Sequence, residues 1–190
     1  MRLVFVGPPG CGKGTQAKLL RDRRGYMVIG TGDIFRAAIA AGGPIGQQVK
    51  PYLESGRLVP DELVNDVVTE YFRREDRPTK FVMDGYPRTL AQAVAFDAVL
   101  RQAFLDLDAA VRFVLDDDEV VRRLSGRRLT ENRADDDEAT VRQRLAVYRA
   151  NTEPMIDHYR RQNRLREIDA TGDVETVYQR IIALCPEPEG

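Results

Sequence analysis

The segment from residue 3 to residue 20 constrains the fold of this chain more than any other part of the sequence. Residues 3–6 are a short β-branched and aromatic run, which predicts a buried strand. Residues 16–20 have the composition of a helix. Between them lies a glycine-rich turn, Gly7-Pro8-Pro9-Gly10-Cys11-Gly12-Lys13-Gly14-Thr15. A strand, a glycine-rich turn and a helix in this order predict a phosphate-binding loop.

The chemistry of such a loop explains its residue types. Glycines let backbone N–H groups converge on phosphate oxygens, and the helix N-terminus adds the positive end of its dipole. Lys13 is placed to reach the outer phosphates. The hydroxyl that usually follows the lysine directly is Thr15, one position later, because Gly14 intervenes. The alternative is a strand–helix turn without a ligand, and the matching flanks disfavour it.

The composition limits the kinds of protein that this chain can be. With 190 residues, of which 43% are hydrophobic and 31% charged, it is predicted to be one globular domain. The formal net charge of −1 provides no broad basic field, so we expect neither nucleic acid nor a membrane surface as a partner. No apolar stretch approaches the ~20 residues that cross a bilayer, and the first strand does not resemble a signal peptide. We therefore expect a cytoplasmic location.

Cysteine and histidine usage excludes several chemistries. Cys11 and Cys185 are far apart in the sequence and do not form a metal-type pair, so they are predicted to be free thiols. His158 is the single histidine and lies in a helical pattern, where a surface or packing role is expected. A Ser-His-Asp mechanism or a histidine-bound metal is therefore nearly excluded.

Apolar runs that alternate with helical patterns predict the fold class. Five runs indicate strands, at residues 3–6, 26–29, 80–83, 111–115 and 165–168. Helical stripes separate them, and the clearest is Val64, Val67, Val68, Tyr71 and Phe72. This order predicts an α/β fold with a five-stranded parallel sheet and helices on both faces. Ligands of such folds bind where the strands end.

Two segments interrupt the alternation. Residues 31–60 contain helical patches broken by Gly42-Gly43-Pro44 and Ser55-Gly56, without a strand. Residues 126–137 are dense in charge and poor in apolar residues, before a long helix that is predicted to start near Asp135. Both segments are interpreted as excursions from the core. Their glycines, with Gly126 among them, are candidate bending points.

A second group of polar residues follows the strand at residues 80–83. Asp84 lies at its end, where a carboxylate can hold the water shell of Mg²⁺ beside a triphosphate. A helix or turn cap is the alternative role for Asp84. Arg88 follows in Gly85-Tyr86-Pro87-Arg88, and its guanidinium is a planar fork that matches phosphate oxygens. The sequence therefore predicts two anion sites at one edge of the sheet.

The chain resembles adenylate kinases of the short-lid form, which belong to the nucleoside monophosphate kinases. Six motifs carry the resemblance, in the same order and at family-like spacing over nearly the whole chain. They are Gly7-Pro8-Pro9-Gly10-Cys11-Gly12-Lys13-Gly14-Thr15-Gln16, Thr31-Gly32-Asp33-Ile34-Phe35-Arg36, Leu58-Val59-Pro60-Asp61-Glu62-Leu63-Val64, Asp84-Gly85-Tyr86-Pro87-Arg88-Thr89-Leu90-Ala91-Gln92-Ala93, Gly126-Arg127-Arg128, and Arg133-Ala134-Asp135-Asp136 leading to Val141-Arg142-Gln143-Arg144.

The resemblance implies a three-layer P-loop NTPase fold and a reaction. The reaction is reversible, Mg²⁺-dependent transfer of the γ-phosphoryl group of ATP to AMP, which gives two ADP. The resemblance also implies a single kinase domain over residues 1–190. Its core would comprise residues 1–29, 60–125 and 138–190, with an NMP-binding flap at 30–59 and a lid at 126–137. The two flaps would close over both nucleotides and keep water out.

The lid is short, because only residues 129–132 separate Arg128 from Arg133. Relatives with a long lid carry an inserted domain, in some cases with four zinc-binding cysteines. This chain has neither, so no structural zinc is expected. The resemblance implies Mg²⁺, bound with ATP, as the cofactor. ATP and AMP are the expected partners. The family is often monomeric, and a monomer is the expected state.

The resemblance also assigns site residues. The implied ATP-binding residues are Gly10, Cys11, Gly12, Lys13, Gly14, Thr15, Arg123, Arg127 and Gly172, with Ala170 nearby. The implied AMP-binding residues are Thr31, Arg36, Arg57, Leu58, Val59, Gly85, Tyr86, Pro87, Arg88, Gln92, Arg133 and Arg144. The implied catalytic residues are Lys13, Arg88, Arg123, Arg133 and Arg144, and Asp84 would hold Mg²⁺ through water. Motif spacing does not determine side-chain direction, so Arg122, Arg128 and Arg142 are alternatives to their neighbours.

Two alternative functions remain open. One is a UMP/CMP kinase of the same fold, whose members commonly have alanine at the position of Thr31 and asparagine at that of Gln92. The Gln92 amide can both donate to and accept from an adenine edge, although a helix-surface role is its alternative. The other is a P-loop ATPase or nucleotide switch. The combination of Arg36, Arg88 and Gln92 argues against it, because a switch would have no acceptor-site arginines.

Overall fold

Five apolar segments form the strands of one parallel sheet in the computed structural model, which describes residues 1–131 and 138–185. They are β1 Arg2–Val6, β2 Met27–Gly30, β3 Phe81–Asp84, β4 Ala109–Val114 and β5 Leu165–Asp169. Their order across the sheet is β2-β3-β1-β4-β5, and every pair is parallel. The prediction of a five-stranded parallel sheet is confirmed, with strand ends within two residues of those expected.

Strand register brings the functional segments to one edge. Phe5 of β1 pairs with Asp84 of β3, and Asp84 pairs in turn with Gly30 of β2. Val6 pairs with Arg112 of β4. Because parallel strands run in the same direction, the segments that follow these residues all leave the sheet on the same side.

Helices fill the intervals between the strands. They are α1 Lys13–Arg24, α2 Thr31–Ala40, α3 Pro44–Glu54, α4 Asp61–Arg73, α5 Leu90–Gln102, α6 Asp117–Glu131, α7 Glu138–Val147, α8 Glu153–Arg161 and α9 Val174–Leu184, with a π-helical turn at Tyr148–Thr152 that joins α7 to α8. The predicted stripe on α4 is confirmed, since Val64, Val68 and Phe72 are buried.

The core lies on both faces of the sheet. Along β3, Phe81 and Met83 belong to a cluster with Phe96 of α5 and Tyr159 of α8, whereas Val82 belongs to the opposite cluster with residues of α1 and α9. This alternation follows from the period of two residues in a strand. Helices on both faces make the three-layer fold that the sequence predicts.

The two interrupting segments differ from each other. Residues 31–60 contain α2 and α3, which confirms the predicted helical patches. At the other segment, α6 continues through Gly126 to Glu131, so Gly126 lies inside a helix and not at a break. The low helix propensity of glycine favours a bend at this position. The helix nevertheless continues from the preceding turns of α6 past Gly126. Residues 132–137, where a helix is expected to start near Asp135, lie outside the described residues.

Across residues 1–131 and 138–185, no helix combines the length and apolar character that a membrane span requires.

The contact between α2 and α3 yields a stability prediction. A Cβ added at Gly46 would meet the backbone of α2, at Ala38 O and 2.6 Å from Ala38 C. Gly46→Ala should therefore lower the free energy of unfolding by roughly 1–3 kcal/mol, because backbone cannot move aside as a side chain does. Urea denaturation measures it. Gly43→Ala is the control, since its added Cβ meets nothing within 4 Å. Equal stability of the two variants would contradict the prediction.

Candidate active site

The loop between β1 and α1 has the geometry of an anion site. Gly12 is the N-cap of α1 and has a φ of 97°, a backbone conformation that glycine adopts without strain. A Cβ built on Gly12 would meet nothing within 4 Å, so open space lies above it. Because the N-cap glycine has no side chain to cap the helix, the first N–H groups of α1 are left for an anion. Gly10 packs beneath, against Leu124 of α6.

The side chains of Lys13 and Cys11 contact each other in this loop, since the Lys13 Nζ lies 3.4 Å from Cys11 Sγ. The Lys13 Nζ donates to the carbonyl oxygens of Gly7 and Pro8, both at 2.8 Å, and so lies across the mouth of the loop. The Cys11 thiol is buried, and its burial raises the thiol pKa against the opposing effect of the Lys13 charge. Cys11 can therefore offer phosphate its backbone only. Thr15 is exposed in the first turn of α1.

Asp84 faces this loop from the end of β3. A Cβ added to Gly14 would lie 3.4 Å from Asp84 Oδ2, which locates the carboxylate beside the start of α1. In the part of the chain that the structure describes, no group of three or more His, Cys, Asp or Glu residues could hold a metal ion. A single carboxylate fits Mg²⁺, which retains several waters and takes phosphate oxygens as its other ligands.

A groove opens beside the loop, between residues of the predicted flap and the turn after β3. It has 620 Å³ of empty space, part of it open to solvent. Its lining residues are Thr31, Gly32, Phe35, Arg36, Leu53, Gly56, Arg57, Leu58, Val59, Val64, Gly85, Arg88, Gln92 and Arg144. Of the residues assigned to AMP from the sequence that the structure describes, it brings together all but Tyr86 and Pro87.

Gly85 holds the turn that ends β3. Thr31 Oγ1 donates to the Gly85 carbonyl at 3.0 Å, and Arg88 Nε donates to the same oxygen at 2.7 Å. Gly85 has a φ of 82°, and a Cβ there would come within 3.1 Å of both Thr31 Oγ1 and the Arg88 guanidinium. A side chain at this position would disturb the two neighbours that form the floor of the groove.

The side chains of Tyr86 and Pro87 differ from the sequence-based assignment. Both residues are buried, and Tyr86 is 0% exposed with its ring 5.5 Å from that of Phe96. The Tyr86 hydroxyl donates to Asn65 Oδ1 at 2.7 Å, and burial raises its pKa. Tyr86 therefore anchors the turn from below and cannot contact a ligand with its ring. The turn directs this side chain back into the apolar cluster between α4 and α5.

Buried side chains hold the backbone of Arg88 on both sides. Its N–H donates to Gln92 Oε1 at 2.7 Å, and its carbonyl accepts from Thr152 Oγ1 at 2.9 Å. Gln92 is 2% exposed, so it is not the helix-surface residue that the sequence left possible. Its Nε2 donates to Asp61 Oδ1 at 2.7 Å. The Arg88 side chain is exposed toward the groove.

The other arginines of the groove come from the flap and from α7. Arg36 forms an ion pair with Asp33. Arg57 donates from Nε to Ser55 Oγ at 2.8 Å. Arg144 of α7 lies close to the flap, since a Cβ on Gly56 would come within 3.0 Å of its Cγ.

Arg123 lies on the side of the loop assigned to ATP. It donates from Nε to Glu119 at 2.7 Å and from Nη2 to the Ala170 carbonyl at 3.1 Å, close to Gly172. Arg122 pairs with the same glutamate, but its side chain is 74% exposed against 24% for Arg123. Of these two neighbours, Arg123 is thus the inward one. The two guanidinium groups lower the pKa of Glu119 to about 2.

From the sequence, Arg142 is the alternative to Arg144. In the structure Arg142 is exposed and Arg144 is half-buried. The side chains of Arg127 and Arg128 and all of Arg133 lie outside the described residues.

The structure also adds residues that sequence reasoning missed, namely Asp61, Asn65, Thr89, Glu119 and Thr152. For Thr89 a local signal exists, because Thr89 and Gln92 have the spacing of a capping box and Thr89 Oγ1 accepts from the Gln92 N–H at 3.1 Å. Asp61 and Thr152 contact residues 31 and 64 positions away, so only the tertiary fold reveals them.

A phosphate loop and an arginine-lined groove at one sheet edge define a P-loop nucleotide kinase. Comparison with known proteins agrees with this class, since the family whose sequence model matches residues 5–164 is described as "Adenylate kinase". The chain belongs to the adenylate kinase family.

Relatives named "Adenylate kinase" match over almost the whole chain. That of Thermobifida fusca is 44% identical over 180 residues, with 95% of each chain covered. That of Clavibacter michiganensis subsp. michiganensis is 46% identical over 182 residues, with 96% of this chain and 91% of the relative covered. That of Archaeoglobus fulgidus is 40% identical over 211 positions, with 97% of each covered. Because 211 positions exceed the 190 residues here, that relative has insertions that this chain lacks.

The comparisons confirm the resemblance seen in the motifs. They do not favour the alternatives of a UMP/CMP kinase or a nucleotide switch.

The bond from Thr152 to Arg88 yields a prediction. Thr152→Val keeps the shape of the side chain but removes the donor to the Arg88 carbonyl. The KM for the acceptor nucleotide should rise about fivefold, the equivalent of roughly 1 kcal/mol for one hydrogen bond. The KM for ATP should stay unchanged, because the contact lies on the groove side. Steady-state kinetics with each nucleotide varied in turn measures both, and equal changes in the two constants would contradict the prediction.

Proposed function

We propose that this chain catalyses the reversible transfer of the γ-phosphoryl group from ATP to AMP, with Mg²⁺, to give two ADP. One observation carries the proposal. The groove that contains Arg36, Arg88 and the Gln92 amide opens at the same sheet edge as the phosphate loop, beside Asp84. Two phosphate chains bound there would meet end to end. The names of the relatives support the same activity.

The proposed roles follow from position. The N–H groups at the start of α1 and the Lys13 ammonium would hold the β- and γ-phosphates of ATP. To do so, Lys13 exchanges its bonds to the carbonyls of Gly7 and Pro8 for phosphate oxygens. Arg88 and Arg36 would hold the AMP phosphate, and Gln92 would contact its base. Arg123, which reaches Ala170 at the end of β5, would lie on the ATP side, with Arg127 and Gly172.

The chemical step is an in-line displacement. A phosphate oxygen of AMP attacks the γ-phosphorus, and the bond from that phosphorus to the β–γ bridging oxygen breaks. This oxygen of AMP is already ionised at neutral pH, so the reaction asks for no general base. Lys13, Arg88, Arg123, Arg133 and Arg144 would neutralise charge that develops on the transferred group. Asp84 would hold Mg²⁺ through water, and the ion would supply further neutralisation of phosphate charge.

Exclusion of water completes the proposal, because water is the competing acceptor. Residues 30–59 would form the NMP-binding flap and residues 126–137 the lid, and their closure over both nucleotides would precede transfer. In support, α2 and α3 of the flap line the groove together with Arg144 of α7. The cytoplasmic location and the monomeric state stay predictions from the sequence.

An acceptor panel tests the function directly. The protein is incubated with ATP and Mg²⁺, alone and with AMP, UMP, CMP or GMP, and ADP formation is followed. ADP should form only with an acceptor, fastest with AMP, and chelation of Mg²⁺ with EDTA should abolish it. ADP formation that ignores AMP would indicate an ATPase or switch. A preference for UMP or CMP would indicate the pyrimidine kinase.

Lys13→Ala tests the role of the loop. Turnover should fall by roughly 10²–10³, because the side chain stabilises the charge that develops on the transferred group, in addition to holding ATP. Stability should change little, since its ammonium donates to two carbonyls and to a thiol of the loop itself. Lys18→Ala is the matched control, because Lys18 is exposed on the same helix. Kinetics and thermal unfolding of both variants are compared, and unfolding of Lys13→Ala would show a structural role instead.

A further inference from the structure

We propose that Asp61 is a specificity-determining positioning residue, which orients the Gln92 amide so that the acceptor site takes a 6-aminopurine and rejects a 6-oxopurine. The inference rests on the proposed function of the groove. It concerns a residue that would not touch the substrate but would act through Gln92.

The Gln92 amide lies between a hydrogen-bond donor and a hydrogen-bond acceptor. Its Oε1 accepts from the Arg88 N–H at 2.7 Å, and its Nε2 donates to Asp61 Oδ1 at 2.7 Å. A backbone N–H can only donate, and a carboxylate can only accept. The turned-over amide would direct its oxygen at the Asp61 carboxylate and its NH₂ at the Arg88 N–H. Because Gln92 is 2% exposed, water cannot relieve that mismatch.

Asp61 is itself held in one orientation. Its Oδ2 accepts from Thr89 Oγ1 at 2.9 Å, and that hydroxyl oxygen accepts from the Gln92 N–H at 3.1 Å. The carboxylate thus connects the first turn of α4 with the first turn of α5. Each of its oxygens accepts from a donor, so the orientation of the carboxylate beside Gln92 is held.

The direction of the amide decides which purine edge it can read. After these two bonds, Oε1 and Nε2 each keep one further hydrogen-bonding position, and Gln92 is one of the residues that line the groove. Adenine presents a donor at N6 and an acceptor at N1, which match an amide oxygen and an amide N–H. A 6-oxopurine presents an acceptor at O6 and a donor at N1, the reverse pattern. An amide that cannot turn over accepts the first edge and leaves the second unpaired.

The test compares AMP with IMP, since IMP has the same ribose and phosphate and differs only at this edge of the purine. Asp61→Ala should lower the ratio of kcat/KM for AMP to that for IMP by about tenfold or more, because one of the two bonds that hold the amide in this direction is then lost and the turned-over amide costs less. The KM for ATP should not change. In Asp61→Asn the side-chain oxygen can still accept from Gln92 Nε2, so the ratio should return close to that of the unchanged enzyme.

Two controls separate positioning from folding. Glu62→Ala removes an exposed acidic residue from the same helical turn and should leave the ratio unchanged. In a Gln92→Ala background, Asp61→Ala should have no further effect on the ratio, because its action passes through the amide. If Asp61→Ala does not fold, Asp61→Ser keeps a polar group at the start of α4 that is too short to reach Gln92.

The outcomes distinguish the two proposals. If the unchanged enzyme does not phosphorylate AMP, the proposed function fails. If it prefers AMP but the ratio is the same in Asp61→Ala, or changes equally in Asp61→Asn, this inference is wrong. An effect of Asp61→Ala that persists in the Gln92→Ala background would also overturn it.

Discussion

The parallel register of β1, β2 and β3 is the constraint on which the site depends. Phe5, Asp84 and Gly30 lie in one row across these strands, so the phosphate loop, the turn at Gly85 and the start of α2 leave the sheet side by side. A slip of one residue would turn Asp84 to the opposite face of the sheet. Burial of alternate residues on both faces resists that slip, and packing on both faces thus maintains the separation between the two anion sites.

Much of this arrangement could be predicted from the sequence because its signals are local. The loop is a contiguous motif between a strand and a helix, and the strands are short apolar runs whose ends differ from the prediction by one or two residues. The amphipathic stripe of α4 has a period that only a helix satisfies. The groove was predictable at the level of its backbone segments, since Thr31 and Gly85 follow strand ends directly and Arg88 lies in the turn after β3.

The rest was not predictable because it depends on side-chain direction and long-range contacts. Tyr86 lies in the motif at residues 84–93, but its side chain points into the core. The turn after β3 and the contact with Phe96 determine this direction. Arg122 and Arg123 are neighbours with the same chemistry, and only the helix orientation makes Arg123 the inward one. The bonds of Asp61 and Thr152 to the groove join segments that no local pattern connects.

The π-helical turn between α7 and α8 limits the changes in chain length that this enzyme can tolerate. The turn contains one residue more than an α-helical turn would. It lies after Arg144, which lines the groove, and ends at Thr152, which donates to the Arg88 carbonyl. Loss of one residue there would leave a regular helix but rotate one end against the other by about 100°. The arginine and the hydroxyl could then no longer serve the same groove. Length variation between relatives should therefore be tolerated in surface loops but opposed in this single turn.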